Sequence, residues 1–218
     1  MTRQARLARF RDADLYVVIT EAFCAGQPAL QVLDAVLDAG VRLIQFREKN
    51  LDDAELYERA LAFREKTRAA SALLIIDDRV DIALAVGADG VHLGLSDLPI
   101  EAARRIAPEL VIGASSHNLE EALAAQAAGA GYVNIGPIFA TQTKSVPTGA
   151  IGPEAIAAIA PKLSIAFTCM GGIKAHNISQ VLAHGARHAA VVTAVTAAPD
   201  PRAAAAELRR AILEFRAS

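Results

Sequence analysis

Apolar runs of strand length alternate along the whole chain with longer amphipathic segments. The runs fall at residues 15–20, 41–46, 73–76, 91–93, 110–112, 132–135, 163–167 and 189–192. They read as near-continuous Val, Ile, Leu and Ala, the pattern of parallel strands covered on both faces. Between them, helices are expected over 28–39, after Asn50, Asp52 and Asp53, and over 80–86 and 99–106. Further helices are expected from Asn118 to near Gly129, from Pro153 to a stop at Pro161, over 174–183, and beyond Asp200 and Pro201. Several carry local signals. Leu56, Ala60 and Phe63 share one face, Asn118 and Glu121 make a capping box, and Leu208, Ala211, Ile212 and Phe215 form one stripe.

Strand then helix recurs eight times in 218 residues, with short connections and neither a linker nor a clear internal duplication. That is the layout of an α/β fold closed into a (β/α)₈ TIM barrel, one domain over 1–218 with residues 1–13 as an N-terminal extension packing outside the barrel.

Composition narrows the function classes. The chain is 53% hydrophobic but only 5% aromatic, and Ala-rich helices over aliphatic strands fit α/β layers better than a β-sandwich. A net charge of −2 leaves no basic stripe for nucleic acid. Cys24 and Cys169 are too few and too far apart for a disulfide framework or a zinc site, and point to a reducing compartment. No apolar run approaches a membrane span, and the start lacks the apolar core of a secretory signal, so a cytoplasmic location is expected.

A barrel gathers its chemistry at the C-terminal ends of its strands. Gln45, Arg47, Glu48 and Lys49 follow the second strand, Asp77, Asp78 and Arg79 the third, Asp97 the fourth, and Ser115, Ser116 and His117 the fifth. Thr141, Thr143 and Lys144 lie in the loop after the sixth, Gly171 and Gly172 follow the seventh, and Thr193 ends the eighth. A lone acid after a strand is more often a cap or turn residue. Asp78 and Asp97, however, follow neighbouring strands, and Mg²⁺ takes one or two carboxylates and lets substrate phosphates complete its octahedron. Gly171, Gly172 and the backbone at Val192 and Thr193 are expected to cradle a phosphomonoester, since glycine permits close approach and amides donate to anions, the alternative being that the glycines only make a tight turn. Arg47, Lys49 and Lys144 supply cations for a second anion. Together these features imply two phosphorylated substrates, one a diphosphate that needs Mg²⁺. No nucleophile–base pair stands out: Cys169 and His117 fall on strands two apart, and the five histidines show no ligand spacing.

These motifs resemble the thiamine-phosphate synthase family over nearly the whole chain. The most specific pieces are Gln45-Phe46-Arg47-Glu48-Lys49, Asp78-Arg79, and Ala88-Asp89-Gly90-Val91-His92-Leu93-Gly94 with Asp97. To these are added Gly113-Ala114-Ser115-Ser116-His117, the run from Gly136 to Lys144, and Gly171-Gly172-Ile173. The resemblance implies a transferase of thiamine biosynthesis that joins 4-amino-2-methyl-5-hydroxymethylpyrimidine diphosphate to 4-methyl-5-hydroxyethylthiazole phosphate and releases pyrophosphate. It implies a dissociative, Mg²⁺-assisted substitution through a pyrimidine-stabilised carbocation, which accounts for the missing nucleophile. By the same resemblance Gln45, Arg47 and Lys49 contact the pyrimidine diphosphate, Asp78 and Asp97 hold Mg²⁺, and Ser115 and Lys144 contact the diphosphate. Arg47, Ser115 and Lys144 are the expected catalytic groups. Thr141, Thr143, Gly172 and the Val192 and Thr193 amides hold the thiazole phosphate. The partners are these small molecules, with neither nucleic acid nor membrane, in a chain open to homo-oligomerisation.

The resemblance is incomplete in places. Asp77, counted with the substrate-binding residues, stands where the family usually has asparagine, an acid that either adds a metal contact or repels the diphosphate; Leu95 replaces a common glutamine; and Thr168, Cys169 and Met170 are bulkier than usual. Two alternatives share the fold: a thiazole tautomerase, which uses a histidine where Pro137 stands here, and a non-catalytic paralogue that binds a thiamine precursor.

Overall fold

The computed structural model describes residues 1–143 and 149–217. Eight parallel strands close into a barrel in sequence order: β1 Leu15–Ile19, β2 Leu43–Phe46, β3 Leu73–Asp77, β4 Gly90–Leu93, β5 Val111–Ser116, β6 Tyr132–Ile135, β7 Ala166–Met170 and β8 Ala189–Val191. β8 returns to β1 with Tyr16 opposite Ala190. Around them run α1 Arg3–Asp12, α2 Ala29–Asp38, α3 Asp53–Ala69, α4 Val80–Ala85, α5 Ile100–Ile106, α6 Leu119–Ala127, α7 Glu154–Ile159, α8 Ile178–Ala183, α9 Thr193–Thr196 and α10 Pro201–Ala217.

Strand side chains alternate between two cores. Val17, Ile44, Leu74, Ile76, Val91, Ile112, Val133 and Val191 point outward and meet the apolar faces of the helices. Tyr16, Val18, Leu43, Leu73, Ile75, Val111, Tyr132 and Ala190 point inward and fill the barrel. The inward set fixes which strand-end side chains look into the mouth: Gln45, Asp77, His92, Ser115, Asn134 and Met170 continue that parity.

Local chemistry sets the helix starts. Asp52 caps α3 by accepting from the Glu55 N–H at 2.9 Å. Asn118 caps α6 by accepting from the Glu121 N–H at 2.9 Å, but Glu121 completes only half of the expected box: its carboxylate accepts from Asn118 Nδ2 at 2.9 Å and from the His117 N–H at 2.7 Å rather than from the Asn118 N–H.

Several elements lie elsewhere than the sequence pattern places them, among them β8, which ends at Val191 so that Thr193 opens α9 instead of ending the strand. β7 occupies Ala166–Met170 rather than 163–167, because a 3₁₀ turn over Ala160–Lys162 takes up the chain after α7 and Ala166 pairs opposite Tyr132. α8 begins at Ile178 rather than 174, since Asn177 Oδ1 accepts from Lys174 N–H at 2.8 Å and holds a turn there. β5 runs on to Ser116, whose hydroxyl donates to the Asn134 carbonyl at 3.1 Å.

The N-terminal segment forms a helix, α1, across the N-terminal mouth. Its fully buried Phe10 stacks on the Tyr132 ring at 4.3 Å. Arg6 and Arg64 both reach the buried Asp89 carboxylate, at 3.4 Å and 2.7 Å, so the floor of the barrel is closed by paired charge as well as aromatic packing. No helix among the described residues is long and apolar enough to cross a membrane.

Candidate active site

The C-terminal mouth holds a cavity of about 730 Å³. Gln45, Arg47, Asp77, Ser115, Thr141, Thr143, Gly172, Val192 and Thr193, from five strand ends and the loop after β6, all line it. Nine of the expected site residues, scattered from 45 to 193, thus face one space. Lys144 lies outside the described residues.

The remaining expected residues sit around this space rather than on its wall. Lys49 Nζ reaches Asp77 Oδ2 at 2.8 Å and also pairs with Asp78. Asp78 stands one residue beyond β3, and its N–H donates to the His92 carbonyl on β4 at 2.8 Å. It adopts a left-handed backbone, φ 56°, which aspartate tolerates better than most residues. Asp97 lies in the turn after β4, with Oδ2 accepting from the Gly94 N–H at 2.6 Å. Arg79 turns outward instead: it is held by Asp53 and Asp81, each at 2.6 Å.

Charge at the mouth is locally balanced. Arg47 Nε approaches Asp77 Oδ2 at 3.3 Å, and Lys49 meets the same oxygen. That oxygen is buried and has no well-directed hydrogen bond among the described residues, so its partners act on it as charges. The Thr20 hydroxyl is likewise buried without a partner among the described residues, on a residue that lines the cavity.

Two acids near the mouth are of the hard-oxygen kind that Mg²⁺ takes. Asp78 and Asp97 carry hard carboxylate oxygens just beyond neighbouring strands, whereas the Asp77 oxygen is taken up by Lys49 and Arg47. No cluster of three or more metal-binding side chains occurs among the described residues.

The paired glycines have a structural duty that the sequence did not reveal. Both have positive φ, 105° at Gly171 and 62° at Gly172. A Cβ on Gly171 would stand 2.5 Å from Pro137 Cβ, and one on Gly172 2.6 Å from the Ala140 carbonyl oxygen. The turn after β7 therefore packs its backbone against the loop after β6, which brings Thr141 and Thr143 to the same wall as Gly172. Thr143 N–H donates to Thr141 Oγ1 at 3.2 Å, which orders the pair.

Cys169 and His117 form no catalytic pair. Cys169 is buried in the outer core, where burial pushes its thiol well above the ordinary range, and His117 Nδ1 bonds to Glu121 at 2.8 Å. Burial likewise pushes the Cys24 thiol up to about 11. Both cysteines are free.

Sequence reasoning missed His92, Asn134 and Thr20, all of which line the cavity. The available signal was strand parity: His92 lies two residues after Gly90, with Val91 and Leu93 facing the outer core.

Comparison with known proteins agrees with the barrel fold. The family model described as thiamine monophosphate synthase matches residues 15–195. The chain belongs to the thiamine monophosphate synthase family. Relatives in it include a thiamine-phosphate synthase from Chloroflexus aurantiacus, 43% identical over 203 residues that cover 93% of this chain and 94% of that one. Another, from Caldicellulosiruptor bescii, is 37% identical over 219 residues and covers both chains fully. A solved thiamine phosphate pyrophosphorylase from Pyrococcus furiosus superposes with a TM-score of 0.88 at 40% identity, covering 94% of this chain and 98% of that one.

Proposed function

We propose that the protein is a thiamine-phosphate synthase, transferring the pyrimidinylmethyl group of 4-amino-2-methyl-5-hydroxymethylpyrimidine diphosphate to the nitrogen of 4-methyl-5-hydroxyethylthiazole phosphate. The observation that carries this reading is the convergence of Gln45, Arg47, Ser115, Thr141, Thr143, Gly172, Val192 and Thr193 on one cavity of a family member. Pro137 lines that cavity where the tautomerase alternative needs an imidazole.

In this reading the chain contributes position and charge rather than a covalent bond. Gln45 orients the pyrimidine. Arg47, Lys49 and Ser115 face the diphosphate, so the C–O bond breaks toward groups set to receive negative charge, and the family resemblance assigns Lys144 to the same task. Asp78 and Asp97 would hold Mg²⁺, which when bound neutralises phosphate charge as it builds on the leaving group. Thr141, Thr143, the Gly172 backbone and the amides at Val192 and Thr193 hold the thiazole phosphate, in the region after β7 and β8 that commonly binds phosphate in such barrels. The walls shield the carbocation from water until the thiazole nitrogen attacks. The setting is cytoplasmic, with small molecules as partners.

Titration calorimetry with each substrate, with and without Mg²⁺, tests the division of the cavity. The pyrimidine diphosphate should need the ion to bind tightly and the thiazole phosphate should not. The reverse dependence would overturn the assignment.

A further inference from the structure

Gln45 on β2 and Ser115 on β5 stand three strands apart, yet one unbroken chain of hydrogen bonds beneath the cavity joins them. Gln45 Nε2 lies 2.8 Å from the Tyr16 hydroxyl, and the Tyr16 and Tyr132 hydroxyls lie 3.0 Å apart. Tyr132 Oη is 3.0 Å from His92 Nδ1, and His92 Nε2 is 3.0 Å from Ser115 Oγ. Both phenols are buried in the barrel interior and surrounded by aliphatic and aromatic side chains. Both ends of the chain line the cavity.

Such a chain has a direction. An amide nitrogen can only donate, so the Tyr16 oxygen accepts from Gln45 and its single proton passes to Tyr132. Tyr132, already accepting, gives its own proton to His92 Nδ1. That nitrogen must then be bare, and the ring carries its proton on Nε2, which donates to Ser115 Oγ. Burial pushes both phenols above the ordinary tyrosine range, so each keeps its one proton and the direction persists across neutral pH.

We propose that Tyr16, Tyr132 and His92 form a polarity-setting relay: it fixes Ser115 as a hydrogen-bond donor toward the substrate diphosphate and Gln45 as an acceptor toward a substrate N–H. The relay rests on the reading of the cavity given above. With its oxygen occupied by the His92 N–H, the Ser115 hydroxyl has its own proton left for an anion, the polarity a departing diphosphate needs. With its NH₂ turned to Tyr16, Gln45 presents its carbonyl oxygen to the cavity, the polarity an aminopyrimidine needs. The three relay residues are positioning residues. They act through Gln45 and Ser115, and linking the two ends couples the orientation of one substrate half to the other.

The test reads the histidine tautomer and turnover together. Long-range ¹⁵N–¹H spectra of the ligand-free full chain should show His92 protonated on Nε2 with Nδ1 bare, and Tyr132→Phe should abolish that preference. In the same variant, turnover should fall about 10–100-fold, the range seen when partners that orient a ligating side chain are removed. The KM for the thiazole phosphate should stay within about twofold of wild type, which a general loosening of the fold would not allow. Tyr16→Phe breaks the chain one link earlier, and serves where Tyr132→Phe does not fold. It should lower turnover without moving the thiazole KM. An active wild-type enzyme with His92 protonated on Nδ1, or full turnover in both Phe variants, would overturn the relay. A wild-type protein with the Nε2 tautomer that releases no pyrophosphate would uphold the relay's direction and overturn the proposed function instead.

Discussion

The Arg47 guanidinium lies 3.3 Å from the Asp77 carboxylate and ties together the ends of β2 and β3 at the mouth. Lys49 reaches the same oxygen at 2.8 Å. Two cations assigned to a diphosphate are thus held by an acid, at a position where the family pattern has an amide. Asp77→Asn should remove one negative charge beside the diphosphate and free Arg47, while Lys49 keeps Asp78 as a partner. The KM for the pyrimidine diphosphate should fall about 3–10-fold, roughly 1 kcal/mol. Steady-state kinetics at saturating thiazole phosphate measures this. A higher KM with a raised Mg²⁺ requirement would make Asp77 a metal ligand.

Asp97 accepts from Gly94 N–H at 2.6 Å, so its replacement has to preserve that turn. Asp97→Asn keeps an oxygen for the amide and loses the charge. Turnover should drop roughly 100-fold or more, with the thermal midpoint and thiazole phosphate binding near wild type. Equal loss of turnover and thiazole binding would make Asp97 a structural acid.

Gly113 clears the path of the Tyr132 ring across the barrel. A Cβ there would stand 2.0 Å from Tyr132 Cζ and 2.4 Å from its hydroxyl oxygen. Gly113→Ala should destabilise the protein by about 1–3 kcal/mol in urea unfolding, since the ring has no room to retreat in a packed interior. Wild-type stability would show that the ring can move.

His188 couples stability to pH. It is buried beneath the barrel against Phe10, 5.5 Å between rings, and burial holds its pKa below the ordinary value of 6.5. The unfolded chain therefore binds this proton more readily. Its contribution is complete above about pH 6.5 and is lost as pH falls from there toward the depressed folded value. Urea unfolding at about pH 7 and about pH 5 should show the decline, and His188→Gln should flatten it. An unchanged slope would place the titration elsewhere.

The barrel was legible in the sequence because aliphatic strands and short connections admit few other arrangements. Asp77, Gln45, Arg47 and Ser115 could be placed at the mouth once strand ends were known. Register was harder. The run from Leu163 to Met170 is apolar but for Ser164 and Thr168, so pairing with Tyr132 is what shows where β7 begins. Ser115 and Ser116 look like loop residues until Asn134 supplies a partner for Ser116. α1 carries four arginines and little helical amphipathicity in its sequence, and Phe10 packs against Tyr132 and His188, far along the chain, as well as against nearby Tyr16. The layer beneath the mouth, Tyr16, Tyr132 and His92, was hidden for the same reason, because its hydrogen bonds join residues up to 116 positions apart.

The most direct measurement is product stoichiometry. The two substrates are mixed with the protein and Mg²⁺, and both products are followed by chromatography with mass detection. The chemistry described here gives one thiamine monophosphate for each pyrophosphate, nothing from either substrate alone, and nothing after the metal is chelated. Pyrophosphate released from the diphosphate alone, or thiazole phosphate isomerised without Mg²⁺, would contradict it.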